Sequence, residues 1–290
     1  MSTMCDVMDD PRAMAAVKAA LAEDVGEGDA TTLALVDSAA CATGEILARE
    51  ACRVAGVTVA RAVLACVDPT LCVTVLVPDG ETVKPGDTIL TIEGKAASIL
   101  TAERTALNFM QRMCGIATLT ARFVEAVEAY GTMILDTRKT TPNLRLFEKY
   151  AVTCGGGTNH RFGLYDRVLV KDNHRRLWQG GDPDRLDLAV AAARDAFPLL
   201  EVEIEVESVA ECQSALRGRP EWIMLDNMSC EMMRTCVALC RGVSKTEASG
   251  GITLARAQEV AATGVDAISL GCLTHSAPSV DLALEWRVVQ

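Results

Sequence analysis

Positive side chains cluster in the middle of a chain that is otherwise acidic. The 290-residue sequence has a formal net charge of -11, yet nine basic residues stand against four acidic ones between positions 136 and 176. A basic island in an acidic protein indicates a pocket for a small anion. The overall charge argues against nonspecific nucleic-acid binding, which needs basic surface to neutralise phosphates.

Two groups of these cations stand where apolar, strand-like runs end. Arg138 and Lys139 directly follow MILDT (133–137), and Lys171 lies in RVLVKDN (167–173). Adjacent cations in a loop are usually solvated, but their position at the carboxyl end of a strand favours anion binding. A buried lysine at such an end needs an anionic partner.

Three consecutive glycines precede two further candidate anion ligands. CGGGTNHR (154–161) ends in His160 and Arg161. Three glycines carry a large entropic cost unless the backbone must approach a ligand or another segment closely. A flexible loop is the alternative interpretation, and the basic pair that follows weighs against it.

An alternating segment supplies candidate carboxylates for a metal ion. EVEIEVES (201–208) places its four glutamates on one face of a strand and its apolar residues on the other. In a barrel the acidic face points inward, where cations or a metal must compensate the charge; a solvated edge strand is the alternative. Asp226 ends the next strand-like run, and with one of these glutamates it predicts a Mg²⁺ site. EASGGI (247–252) and LGCLTH (270–275) resemble phosphate-binding turns, although ordinary strand-to-helix turns remain open.

Six strand-like runs alternate with helical segments and must position these residues. They are MILDT (133–137), RVLVKDN (167–173), EVEIEVES (201–208), EWIMLDN (221–227), KTEASGG (245–251) and AISLGCL (267–273). This rhythm predicts a parallel sheet with right-handed crossovers. Functional residues at successive strand ends favour an α/β barrel, with an open doubly wound sheet as the competing layout.

The chain up to about residue 115 has a different pattern. Turn signals at Pro78-Asp79-Gly80 and Pro85-Gly86-Asp87 separate short apolar runs, which predicts a small α+β domain. TAERTALNFMQRM (101–113) predicts a helix with Thr101 as its N-cap.

Composition restricts the compartment. Half of the residues are hydrophobic, but no stretch approaches the roughly 20 apolar residues of a spanning helix, and the first ten residues contain no basic residue. We therefore expect a cytoplasmic protein without membrane insertion. The twelve scattered cysteines are predicted to be reduced, and Cys236 and Cys240 to be small buried residues of a helix face.

Six segments together resemble the quinolinate phosphoribosyltransferase family. They are ERTALNFMQRMCGIAT (103–118), DTRKTTPNLRLFEKYAVTCGGGTNHRFGLYD (136–166), VKDNH (170–174), MLDNMS (224–229), EASGGI (247–252) and GCLTHS (271–276). AEDVGEGDATT (22–32) extends the resemblance over nearly the whole chain. Several long motifs in the right order are more specific than any single glycine-rich loop. Two positions depart from the usual pattern: Asn143 stands where glycine is common, and Cys272 where alanine is common.

The resemblance implies an architecture and an assembly. It implies an N-terminal α+β open sandwich domain (1–115), an incomplete α/β barrel of fewer than eight strands (116–275) and a tail (276–290). In that tail, SVDLALEW (279–286) would return to the first domain as a strand. It also implies a homodimer with shared active sites, and leaves assembly beyond the dimer open.

The resemblance also implies a role for each candidate site residue. The quinolinate carboxylates would be bound by Arg138, His160, Arg161 and Lys171, with Arg104 reaching in from the partner subunit. Lys139 would serve the substrate phosphates, Glu205 and Asp226 the ribose and Mg²⁺, and Ser249, Gly250, Gly271 and His275 the 5′-phosphate. The expected catalytic residues are Lys139, Lys171, Glu205 and Asp226.

The implied reaction joins quinolinate to phosphoribosyl pyrophosphate with loss of carbon dioxide, giving nicotinate mononucleotide for NAD biosynthesis. Mg²⁺ would accompany the sugar pyrophosphate, and no organic cofactor is expected. One alternative is a phosphoribosyltransferase for nicotinate or another anionic ring, which needs fewer cations. Another is a biotinyl or lipoyl carrier, which VPDGETVKPGDTILTIEG (77–94) resembles; a carrier needs a lysine at a hairpin tip, whereas Lys95 follows that stretch.

Overall fold

The computed structural model of the protein describes residues 6–178 and 181–287. The first five residues of the predicted first domain and the last three of the predicted tail lie outside this part. The described chain forms two compact units. The first takes its residues from Met1–Ala121, Thr140–Gly156 and Cys272–Gln290, and the second from Arg122–Lys139 and Gly157–Gly271. The predicted division at residues 115 and 275 stays a prediction.

Helices and strands follow one another along the whole described chain. Up to residue 127 they are α1 Pro11–Val25, α2 Ala30–Leu35, β1 Cys41–Ala48, β2 Cys52–Arg53, α3 Val57–Val67, β3 Cys72–Val75, β4 Thr82–Val83, β5 Thr88–Lys95 and α4 Ala96–Val127. Beyond it they are β6 Met133–Leu135, α5 Arg145–Cys154, β7 Val168–Val170, α6 Asp172–Leu177, α7 Leu186–Ala196, β8 Val202–Val206, α8 Val209–Arg217, β9 Trp222–Asp226, α9 Cys230–Cys240, β10 Lys245–Ser249, α10 Leu254–Ala261, β11 Ala267–Ser269, α11 Cys272–His275 and β12 Leu282–Arg287.

The first unit contains a four-stranded antiparallel sheet in the order β12-β1-β5-β3. The predicted turns lie on either side of the short strand β4, which pairs with β2 in a separate two-stranded sheet. Gly80 and Gly86 supply the positive φ angles, 90° and 92°, that such turns require. β12, in the predicted tail, pairs with β1 and so forms an edge of this sheet. Lys95 ends β5 and leads directly into α4, so it does not occupy a hairpin tip.

The long helix α4 begins earlier than the sequence predicts. Its first residue is Ala96, directly after β5, so the prediction that Thr101 caps this helix is wrong. The Thr101 hydroxyl instead donates to the carbonyl of Ala97, four residues back and within the helix. Within a helix, a threonine hydroxyl can donate to the carbonyl four residues back. The local sequence does not distinguish such a threonine from one that caps a helix.

The glycine run packs against another segment in the same unit. A Cβ added at Gly155 would lie 2.5 Å from the carbonyl oxygen of Ala117 and 2.6 Å from Cβ of Thr120, both on α4. Close helix packing therefore explains the first of the three glycines. Asn143 adopts φ 65°, a left-handed conformation that asparagine tolerates better than most residues, which explains why it can replace glycine there.

The second unit is built on a six-stranded parallel sheet, and each of the six predicted runs contributes one strand. The strand order is β6-β11-β10-β9-β8-β7, so strands β7 to β11 are neighbours in sequence order and β6 pairs with the last of them. A doubly wound sheet would reverse its order midway. The sheet winds like a barrel but does not close, which confirms an incomplete barrel of fewer than eight strands.

The alternation predicted for β8 is confirmed. Val202, Ile204 and Val206 are fully buried on one face, and α7 and α8 pack against this strand. Glu203 and Glu205 lie on the opposite face. The apolar face thus anchors the strand, and the acidic face is available to the interior of the barrel.

Two further sequence expectations concern helices. Cys236 and Cys240 are buried on α9, and Sγ of Cys240 lies 3.6 Å from Sγ of Cys212. Within the described residues, no helix combines the length and the apolar character that crossing a bilayer demands.

Candidate active site

The carboxyl edge of the parallel sheet carries most of the predicted site residues. Arg138 and Lys139 follow β6, Lys171 follows β7, and Glu205 lies in β8. Asp226 ends β9, Ser249 ends β10, Gly250 follows β10, and Gly271 follows β11. Because the strands are parallel, these ends share one edge of the sheet. Arg104 and His275 belong to the first unit instead: Arg104 is exposed on α4, and His275 is exposed at the end of α11.

An acidic group stands at the ends of β8 and β9. Carboxylate oxygens of Glu205, Glu207 and Asp226 all lie within 4.8 Å of one another. Burial, and then the charge of Asp226, raise the pKa of Glu205, whereas the charge of Lys171 lowers it. Clustered, partly exposed carboxylates that repel one another fit a hard cation such as Mg²⁺. Glu207 was not among the predicted metal ligands, although its place on the acidic face could have suggested it.

A neighbouring asparagine orients Asp226. Asn227 donates from Nδ2 to a carboxylate oxygen of Asp226 at 2.7 Å, and its backbone N–H donates to the carbonyl of Ser249 at 3.0 Å. A Cβ added at Gly250 would lie only 2.2 Å from Oδ1 of Asn227. Only glycine, which has no Cβ, permits this close approach. Gly250 therefore brings the turn after β10 into contact with Asn227 and, through Asn227, with the acidic group.

Two guanidinium groups interact at the other end of this edge. Burial, and then the charge of Arg138, lower the pKa of Arg161, whereas the charges of Glu203 and Asp166 raise it. The Arg161 guanidinium donates from Nη1 to the backbone carbonyl of Arg167 at 3.3 Å. Paired guanidinium groups held against their mutual repulsion are suited to bind an anion with more than one negative charge.

The contacts of His160 are not those of a residue that only binds a substrate carboxylate. Its side chain is only 6% exposed, and Nε2 lies 3.0 Å from Oε2 of Glu203 and 3.3 Å from Oε2 of Glu247. Both glutamates are completely buried. Arg167 also approaches Glu203, with Nη1 3.4 Å from the carboxylate. The predicted role of His160 at the substrate stays a prediction, and these contacts assign its ring a second environment.

Burial and neighbouring charges have opposite effects on the protonation of His160. Burial by itself lowers the pKa of His160, but the two glutamates outweigh burial, so that the pKa is raised. The backbone N–H of Arg161 donates to Nδ1 at 2.7 Å, a contact that uses the Nδ1 lone pair and leaves the ring hydrogen on Nε2. Burial, and then the charge of Glu203, raise the pKa of Glu247.

The segment before Arg161 is tied to β6. Thr158 forms a parallel bridge with Leu135, and its backbone N–H donates to the carbonyl of Ile134 at 2.8 Å. The buried carboxylate of Asp136 accepts the backbone N–H of His160 at 2.9 Å. The sequence assigned no role to Asp136 or Glu247, and it identified Glu203 only as one of four glutamates on an acidic face. The signal for Asp136 is a carboxylate directly after an apolar strand.

A second group of possible metal ligands is His160, Glu203 and Glu247, whose ligand atoms also lie within 4.8 Å of one another. Here Arg167 already supplies positive charge beside Glu203. The exposed oxygen-only group around Asp226 therefore suits Mg²⁺ better than this one does.

Comparison with known proteins identifies the family of the chain. Residues 29–114 match the family model described as quinolinate phosphoribosyl transferase, N-terminal domain, and residues 116–285 match that of the C-terminal domain. A nicotinate-nucleotide pyrophosphorylase [carboxylating] of Mycobacterium leprae is 42% identical over 93% of this chain and 95% of its own length. A probable enzyme of the same name from Bacillus subtilis is 38% identical over 91% of this chain and 89% of its own length.

A solved structure extends the likeness to three dimensions. The nicotinate-nucleotide pyrophosphorylase of Francisella tularensis superposes with a TM-score of 0.91 at 37% identity, and the match covers 98% of this chain and 99% of that one. Together, the two family models match most of the chain. This protein belongs to the quinolinate phosphoribosyltransferase family.

Proposed function

We propose that this protein transfers the phosphoribosyl group of phosphoribosyl pyrophosphate to quinolinate and releases carbon dioxide, forming nicotinate mononucleotide and pyrophosphate in NAD biosynthesis. The observation that carries this proposal is the division of charge along one sheet edge. Cations follow β6 and β7, and carboxylates stand at β8 and β9. One end suits a dianionic ring and the other a metal-bound sugar pyrophosphate.

The cationic end fits a dicarboxylate better than a monocarboxylate. The positive charge of Arg138 disfavours that of Arg161, and an anion with two negative charges relieves that repulsion. Each planar guanidinium can accept one carboxylate through two parallel hydrogen bonds. Lys171 would add further positive charge to this quinolinate-binding group, as would Arg104 from a partner subunit. His160 would complete the group.

The acidic end fits the sugar pyrophosphate. When bound, Mg²⁺ neutralises charge on the pyrophosphate that leaves. Glu205 and Asp226 would hold the ion and the ribose hydroxyls, and Lys139 would contact the phosphates. Ser249, Gly250 and Gly271 would offer backbone N–H groups to the 5′-phosphate, with His275 as the fourth contact. The negative charge of Glu205 and Asp226 also favours the positive charge that develops on the sugar.

The bond changes follow from this placement. The pyridine nitrogen forms a bond to the anomeric carbon while the bond to pyrophosphate breaks, and the electron pair leaves with pyrophosphate. The bond between ring carbon 2 and its carboxylate then breaks, carbon dioxide departs, and the positively charged ring nitrogen stabilises the electron pair left on carbon 2. A proton replaces the carboxylate there, so no organic cofactor is needed.

The assembly and compartment belong to the same proposal. We expect a homodimer in which Arg104 of each subunit serves the site of the other, and a cytoplasmic location. The family membership of the chain and the exposure of Arg104 on α4 support the first expectation.

Incubation with quinolinate labelled in its 2-carboxylate tests the activity. With phosphoribosyl pyrophosphate and Mg²⁺ present, labelled carbon dioxide and nicotinate mononucleotide should form in equal amounts. Nicotinate in place of quinolinate is the control substrate. Turnover of nicotinate without turnover of quinolinate would contradict the proposal and favour the monocarboxylate alternative.

A further inference from the structure

Two completely buried glutamates converge on one histidine beneath the cationic end of the site. Glu203 lies in β8 and Glu247 in β10, so the strand β9 separates them in the sheet. Oε2 of each approaches Nε2 of His160, at 3.0 Å and 3.3 Å. The reaction as described gives neither carboxylate a contact with substrate.

From this histidine the contacts lead to Arg161. Nδ1 of His160 accepts the backbone N–H of Arg161 at 2.7 Å, and the backbone N–H of His160 donates to Asp136 at 2.9 Å. The ring is thus held at both nitrogens, and Arg161 is held through the ring. The Arg161 guanidinium is fixed separately, by the carbonyl of Arg167.

We propose that Glu203 and Glu247 are positioning residues for quinolinate binding, which act through the ring of His160 to hold Arg161 beside Arg138. The inference rests on the proposed function and deepens it. Neither glutamate touches the substrate. They fix the orientation and tautomer of His160, so that Nδ1 presents its lone pair to the Arg161 amide.

The energetic cost of the arrangement supports a functional role. Burying two carboxyl groups is expensive, and apolar side chains of similar volume would usually stabilise the sheet as well or better. Burial and the charge of Arg138 lower the pKa of Arg161, and Glu203 and Asp166 raise it. The contact of the Arg161 backbone N–H with the His160 ring is a fixed attachment that does not depend on these charges. The His160 ring, held by Glu203 and Glu247, supplies that attachment before quinolinate binds.

Glu203→Gln tests the inference, with Glu201→Gln as its matched control. Both glutamates lie on the same face of one segment and both contact Arg167, but in the described residues only Glu203 of the two contacts His160. Glu203→Gln should raise the KM for quinolinate by about ten-fold, the effect of weakening a charged hydrogen bond. Its kcat and its KM for phosphoribosyl pyrophosphate should stay within about two-fold, and Glu201→Gln should change none of the three beyond that.

Two substitutions of His160 separate positioning from direct contact. His160→Asn keeps an acceptor near the place of Nδ1, and His160→Gln keeps a donor near the place of Nε2. If the ring holds Arg161, His160→Asn should have the lower KM for quinolinate. The reverse order would mean that Nε2 itself serves the substrate, and the inference would be overturned.

Hydrogen exchange of the ligand-free protein provides a readout without turnover. The Arg161 amide should exchange at least about ten-fold faster in Glu203→Gln than in wild type, and Glu201→Gln should match wild type. Unchanged exchange in Glu203→Gln refutes the positioning role, whatever the activity. An inactive wild-type protein with the expected exchange pattern would instead refute the proposed function alone.

Discussion

Replacing Gly250 by alanine tests how closely the β10 turn must approach the acidic end of the site. Gly250 has φ +95°, where an L residue is strained, and an added Cβ would lie 2.2 Å from Oδ1 and 2.9 Å from the backbone nitrogen of Asn227. Because Asn227 donates to Asp226, the clash is passed to a proposed metal ligand. The substitution should therefore reduce both stability and catalysis.

The magnitude follows from two contributions. A residue held in a sparsely populated backbone region costs about 1–3 kcal/mol. Overpacking against backbone that cannot move freely costs about 1–3 kcal/mol more. Gly251, the matched control, has φ +58° and nothing within 4 Å of an added Cβ, so alanine there should cost only the left-handed conformation, about 1–2 kcal/mol.

Urea unfolding and steady-state kinetics measure the difference. Gly250→Ala should lose about 2 kcal/mol more than Gly251→Ala, and its kcat/KM for phosphoribosyl pyrophosphate should fall at least about ten-fold further. Equal losses of stability in the two variants would show that the contact with Asn227 does not require glycine. Equal stability but unequal activity would show that the contact matters to the site alone.

Three other predictions concern the charged groups of the site. Arg138→Ala should lower kcat/KM for quinolinate by about a hundred-fold with the fold intact by circular dichroism, and near-normal release of carbon dioxide would contradict its role. Since burial and Asp226 raise the pKa of Glu205 in the folded protein, its ionisation opposes folding. Glu205→Gln should therefore raise the unfolding temperature of the metal-free protein at pH 8, lose that advantage at pH 4, and abolish turnover; no gain at pH 8 would refute the reasoning. Arg104→Ala mixed with Lys171→Ala should regain activity in hybrid dimers, and no recovery would mean that each subunit has a self-contained site.

The strands could be predicted because each is short, apolar and followed by polar residues. β8 illustrates the point: alternation alone places Val202 and Ile204 on the buried face and Glu205 on the other, and the structure agrees. Parallel strands then bring residues far apart in sequence, such as Lys171 and Asp226, to one edge. Local pattern and one topological rule suffice for this much.

The environment of His160 could not be predicted in the same way. Its partners Glu203 and Glu247 come from strands that are not neighbours, and only the three-dimensional course of the sheet makes them converge. In the sequence, His160 beside Arg161 resembles another surface cation. The predicted start of α4 was wrong for a different reason, because a threonine within a helix and a threonine that caps one can share the same local sequence.

The opening of the barrel explains where the cations gather. The sheet ends at β6 and β7, and Thr158 bridges to β6 while Arg161 reaches the carbonyl of Arg167, just before β7. A loop segment therefore spans the gap that further strands would occupy in a closed barrel. Strand residues are fixed by ladder hydrogen bonds, whereas beyond Thr158 the carboxylate of Asp136 and the ring of His160 hold this segment, and buried carboxyl groups offset its positive charge. The opening of the sheet between β6 and β7 thus explains why the segment that carries Arg161 has buried carboxyl groups beneath it.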